Sequence, residues 1–174
     1  WAEENILPDT FRLEKGSIDS LSVSYGEAGR PYVLDGTRVE SAYDAGSSQY
    51  RFEMQGGRLL LPFKGCPEFS LMSGTAQFNH ASRRVNVPSC RLTTAVGGYL
   101  DIKGDWDGSS SSWTANMVVN GVPASSVLEG HWKKHVQGSV SGGIDLRGGR
   151  DGVTHVAGLA RLQGGMLTGL PVLD

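Results

Sequence analysis

Long apolar runs are missing from this chain. No stretch approaches the roughly eighteen consecutive apolar residues that a membrane-spanning helix needs, and no secretory apolar region stands at the amino end. Cysteine is scarce: Cys66 and Cys90 are the only two, which suits an oxidising compartment without demanding one, so a disulfide and two buried thiols both fit. An excess of one charge is missing as well. Sixteen Lys and Arg residues stand against 18 Asp and Glu, the net charge is -2 and the pI is near 6.1. The basic residues are scattered apart from the pairs Arg83-Arg84 and Lys133-Lys134, so nucleic acid is not an expected partner. Proline is ordinary at seven, and no collagen-like or Gly/Ser linker repeat occurs, so disorder does not explain the composition.

Glycine is what the chain has in excess: 25 of 174 residues, roughly twice average usage. Glycines spaced between short apolar runs serve tight turns, because glycine reaches positive φ without a Cβ clash. Many short strands are therefore expected. Leu21, Val23 and Tyr25 alternate with serines over residues 18–25, and 26–31 reads as a turn. Tyr50, Phe52 and Met54 alternate with Arg51, Glu53 and Gln55; Gly56-Gly57 then predicts a hairpin, with 58–63 as the return strand ending near Pro62. Further strands are predicted at 75–79, 84–87, 91–94 and 99–103, where Leu100 and Ile102 share a face. Residues 105–112 read as a polar loop before a strand carrying Trp113, Ala115, Met117 and Val119 in register.

Two places break this texture. Pro123 followed by Ala, Ser and the pair Val127-Leu128, with Trp132 four residues beyond Leu128, predicts a short helix near 123–134. Residues 1–7 suit a helical turn stopped by Pro8. Strand texture resumes over 137–147, 153–162 and 166–173, with Gly164-Gly165 as a turn. The segment Gly97 to Gly104 echoes Gly142 to Gly148: both run Gly-Gly, then aliphatic, Asp, aliphatic, basic, Gly, with one extra residue, Tyr99, in the first. Chance in a glycine-rich β chain and a repeated meander unit explain the echo about equally well. The fold expectation is a mainly β chain: an extended, curved antiparallel sheet or meander with one short helix, the alternative being a β-sandwich or β-solenoid.

Candidates for chemistry are few. The histidines are His80, His131, His135 and His155. His131 and His135 have helical i,i+4 spacing, but Trp132 stands where a metalloprotease needs Glu, and Lys133-Lys134 would repel a cation; a solvated helix face is expected instead. Asp105-Trp106-Asp107-Gly108 opens like a calcium loop but lacks the third acid and the closing Glu. Gly138-Ser139-Val140-Ser141-Gly142 has Val where a nucleophile elbow needs Ser. No catalytic residue, metal site or cofactor is expected, and an enzyme is not the expected class.

Residues 78–174 resemble the carboxy-terminal region of the AsmA family and, more loosely, the AsmA/TamB superfamily. The resemblance rests on Arg84-Val85-Asn86-Val87, Cys90-Arg91-Leu92, the run from Gly97 to Trp106, Val118 to Leu128, His135 to Gly142, and above all Gly164 to Asp174, ending Leu-Pro-Val-Leu-Asp. It implies an elongated curved sheet with an apolar face that handles lipid or serves outer-membrane biogenesis in the periplasm. It also implies an inner-membrane anchor outside these residues, the whole 1–174 stretch being one β-rich segment excised from a larger envelope protein. Lipid acyl chains, other envelope proteins or further segments of the same protein are the partners implied. The apolar stripe expected to face lipid is Tyr50, Phe52, Met54, Trp113, Met117 and Val119; the same side chains would equally serve beneath a helix or a second sheet. A surface module binding carbohydrate or protein is the alternative, with Trp106 or Trp113 as sugar platforms.

Overall fold

The computed structural model describes residues 14–27, 29–61, 68–128, 132–150 and 152–167. Ten strands form one antiparallel sheet: β1 Lys15–Glu27, β2 Arg30–Asp44, β3 Gln49–Gln55, β4 Arg58–Leu60, β5 Phe69–Asn79, β6 Arg84–Thr94, β7 Tyr99–Asp107, β8 Ser112–Pro123, β9 Val136–Gly149 and β10 Gly152–Leu167. Two single-turn helices, α1 Ala124–Val127 and α2 Trp132–His135, interrupt the crossover from β8 to β9. The fold is mainly β, as composition and alternation predict; the described residues form a single sheet and not a sandwich or solenoid. Strand order follows the chain from β1 to β10, with β4 continuing β3 between β2 and β5. Among the described residues the end strands β1 and β10 each pair on one side only, so the sheet they form is open.

Gly56-Gly57 does not make the predicted hairpin. Both β3 and β4 pair antiparallel with β2, as Arg38 with Gln55 and Asp35 with Arg58, so the two run in the same direction as halves of one kinked strand. Positive φ at Gly56 (70°) and Gly57 (95°) makes a crease here instead of a reversal. On the flanking strands Gly36 has φ 71° and the β5–β6 ladder slips between Leu71 and Ser73. The Leu71 N–H donates to the Gly57 carbonyl across this crease at 3.0 Å. A Cβ on Gly57 would sit 2.7 Å from the Asp35 carbonyl oxygen and collide with the Thr37 hydroxyl, so the backbones meet too closely for any other residue.

Other boundaries shift for similar reasons. The predicted strands 84–87 and 91–94 are one strand, β6, carried through Pro88 by a bulge between Val87 and Cys90. Gly164-Gly165 is likewise a bulge inside β10 and not a turn. The loop predicted at 105–112 shortens because β7 runs on to Asp107. The single helix becomes two turns because Leu128 is extended, with φ -95° and ψ 146°. Residues 1–7, Pro62, Cys66, His131 and 168–174 lie outside the described residues.

Each element buries what its alternation supplies. Phe69, Leu71 and Leu92 are the buried centre, Leu92 being 1% exposed, with Met54, Leu59, Leu100 and Ile102 packed around them. These contacts come from neighbouring strands of the same sheet. Because β-bulges bend the strands that carry them, the slips in β1, β5, β6, β8 and β10 curve the sheet.

Candidate functional site

The ladder registers decide which side chains share a face, because directly opposed residues point the same way. Tyr50 opposes Phe78, Phe78 opposes Val85, Val85 opposes Trp106, and Trp106 opposes Trp113. A second row runs Val39, Met54, Gly74, Cys90, Ile102, Met117, Ile144. A third runs Leu71, Leu92, Leu100, Val119. All six stripe residues, Tyr50, Phe52, Met54, Trp113, Met117 and Val119, therefore lie on one face. They form two groups, on β3 and β8, four strand spacings or about 19 Å apart. Between them lie residues that sequence reasoning did not place in the stripe, chiefly Phe78, Leu92, Cys90 and Val85. The bulges at Met72 and Pro88-Ser89 break the period-two signal there, so no single window shows it.

Aromatics concentrate in the row beside the turns that join β2 to β3 and β7 to β8. Tyr43 and Tyr50 pack with ring centroids 4.9 Å apart, and Tyr50 stacks on Phe52 at 6.4 Å. Gly148 is buried opposite Trp113, where a Cβ would enter the indole ring; the missing side chain makes room for the ring to lie across the neighbouring strand. Trp106 is 42% exposed. Burial pushes the Cys90 thiol up from its ordinary value, with the Asp101 charge adding to the shift, and it is a free thiol.

The opposite face of β6 to β9 is mostly polar, with Val118 exposed among its polar residues, and several of its opposed residues bond to each other. Arg91 grips Asp101 through Nε and Nη2, both at 2.7 Å. Arg84 donates to Asp107 at 2.9 and 3.1 Å, Asn86 to Asp105 at 2.7 Å, and Asn116 to Asp145 at 2.7 Å. A hollow of about 510 Å³ opens over this face, lined by Gln77, Arg84, Asn86, Asp105, Asp107 and Thr114 among others. The hydrogen bond from the Ser109 hydroxyl, then those from Arg84 and the Ser109 N–H, hold the Asp107 carboxyl down to about 2. Asp107 thus spends both oxygens on Arg84, Ser109 and the turn backbone, and Asp105 accepts from Asn86 through Oδ1. Among the described residues no group of three or more His, Cys, Asp or Glu side chains could hold a metal ion, and no helix is long and apolar enough to cross a membrane. His135 lies at the end of α2.

The arrangement is an open sheet with a continuous apolar face and a self-satisfied polar one. Against protein-family models, curated proteins and solved structures, the chain has no match.

Proposed function

We propose that this chain is a non-catalytic lipid-handling module of the cell envelope, of AsmA type, whose apolar sheet face shelters acyl chains from water. One observation carries the reading: the rows from β2 to β9 join Val39, Met54, Cys90, Ile102, Met117 and Ile144 into one apolar band. No second layer packs on that band among the described residues. Each acyl methylene fully removed from water on such a surface contributes about 0.8 kcal/mol, so about ten of them, a good part of one acyl chain, supply the roughly 8 kcal/mol of micromolar retention before the cost of association. The polar face needs no partner, because its Arg, Asn and Asp side chains satisfy one another. The reading places the module in the periplasm, held to the inner membrane by a segment beyond these residues. Its partners are other envelope proteins or further segments of the same protein.

Mass spectrometry of organic extracts from the purified chain tests this. Lipid should co-purify, and Met117→Asp should deplete it several-fold, whereas Asn116→Asp on the other face should not. Lipid-free protein, or equal lipid in both variants, would overturn the reading. Glycan binding is the second reading, and the exposure of Trp106 favours it. Its mark would be glycan-array signal lost on Trp106→Ala.

A further inference from the structure

We propose that β10 pairs antiparallel with β10 of a second copy of this chain, so that two sheets join edge to edge. This goes beyond the lipid-handling reading and does not depend on it. An edge strand offers a row of backbone N–H and C=O groups to any extended chain, and proteins blunt such edges with bulges and charges. The two edges of this sheet differ in that respect. β1 slips register twice, on either side of Leu21, and carries Lys15, Asp19 and Glu27. β10 runs unbroken against β9 from His155 to Gln163, and Arg161 is the one formal charge in that run at neutral pH. Every residue from Gly152 to Met166 is exposed, glycines and alanines included, so the backbone of this edge lies open. The strand is also apolar on both sides. Val156 (64% exposed) and Leu162 point to the apolar face. Leu159 (63% exposed) stands on the polar face in a row with Gly143 and Val118, and its opposed glycine has no side chain to cover it.

The unbroken run fixes where a two-fold axis passes. Its midpoint is Leu159. Antiparallel pairing about that residue sets Leu159 against Leu159, Val156 against Leu162 and His155 against Gln163, and each opposed pair agrees in face. No like charges stand opposite one another in this run. Arg161 falls opposite the small Ala157 of the second copy, which leaves the guanidinium room to reach Asp145 one strand further in on the same face. Two strand spacings are about 10 Å, within the combined reach of an arginine and an aspartate side chain. Asn116 bonds Oδ1 of Asp145 from the β8 side, whereas Arg161 approaches from the β10 side. The axis is perpendicular to the sheet, so both apolar faces look the same way and the two apolar bands become continuous. β1 and β10 run in the same direction, so joining them between copies with the faces aligned would be parallel and open-ended; the β10 pair is antiparallel and closed.

Sedimentation velocity on the whole chain over a micromolar concentration series tests this. The unaltered chain should form a closed dimer. Leu159→Arg sets two cations at the axis and should raise the dimer dissociation constant at least tenfold, with an unchanged circular dichroism spectrum and urea midpoint. Arg161→Glu should weaken the dimer about fivefold at low salt, and Arg161→Glu with Asp145→Arg should restore it. In a background of Cys66→Ser and Cys90→Ser, Leu159→Cys should cross-link two copies on mild oxidation, because directly opposed Cβ atoms lie about 5 Å apart. Arg161→Cys should not, its counterpart being four residues or about 13 Å along the strand. A monomer throughout the series, or a dimer indifferent to Leu159→Arg, would overturn the proposal. Assemblies that grow without limit would assign β10 to β1 and overturn the closed pair. A dimer that cross-links equally at both cysteines, or at neither, would overturn the pairing about Leu159.

Discussion

Substituting alanine at each glycine of the Gly56-Gly57 pair separates a crease from a hairpin. Both residues have positive φ, 70° and 95°, so each substitution carries a left-handed strain of about 1–2 kcal/mol. Only Gly57 adds a collision. Its Cβ would lie 2.7 Å from the Asp35 oxygen and 2.9 Å from the Thr37 nitrogen, whereas nothing lies within 4 Å of one on Gly56. The obstacles at Gly57 are backbone on the adjacent strand, which cannot swing aside as a flexible side chain would, so overpacking adds about 1–3 kcal/mol. Gly57→Ala should cost about 2–5 kcal/mol in all and Gly56→Ala about 1–2. That gap of about 2 kcal/mol is large beside the total stability of an ordinary domain, about 5–15 kcal/mol. Urea unfolding followed by tryptophan fluorescence would measure it as a lower midpoint for Gly57→Ala at unchanged slope. Equal, small losses at both sites would refute the crease, because a solvent-exposed two-residue turn treats the two glycines alike.

Thr37 is fully buried and its hydroxyl has no hydrogen-bond partner among the described residues, so the isosteric Thr37→Val should stabilise the sheet by about 1 kcal/mol; a loss in the same urea assay would mean that the hydroxyl is satisfied. Asp107 should titrate by carboxyl-carbon NMR at about 2 in the folded chain, below its ordinary 3.8, and Ser109→Ala should raise the midpoint. Because the folded value is the depressed one, the stability that Asp107 adds is present above pH 4 and fades as pH falls through 2. A folded midpoint near 3.8 would mean that the Ser109 and Arg84 bonds do not form.

The fold class was legible because alternation survives wherever a strand is unbroken. Trp113 to Val119 and Tyr50 to Gln55 read correctly as strands from seven and six residues alone, and their apolar residues share one face. What escaped was every place where a bulge resets the period. β2 went unread because Gly36 separates Val33-Leu34 from Val39 and shifts the facing of the two halves. Pro88 split β6 on paper, although a bulge lets the ladder pass it. Gly56-Gly57 carries a strong hairpin signal, and the choice against a reversal comes from long-range pairing of β4 with both β2 and β5. In the echo between Gly97–Gly104 and Gly142–Gly148, the aspartates Asp101 and Asp145 both face the polar side, while Leu100 and Ile102 in the one and Ile144 and Leu146 in the other face the apolar side. A hollow at the crossover between β8 and β9 was invisible in the sequence, since Val136, Val140 and Leu162 line it together with Ala124 and Leu128 only in three dimensions.

Site-specific photo-crosslinking in cells tests the central claim most directly. A photoreactive phenylalanine analogue placed at Phe52 or Met117 should capture lipid, seen by mass spectrometry as an acyl-bearing adduct. The same probe at Glu53 or Asn116, one residue away on the polar face, should capture none. Lipid adducts of equal yield on both faces, or none on either, would contradict the proposal that acyl chains travel along the apolar side of this sheet.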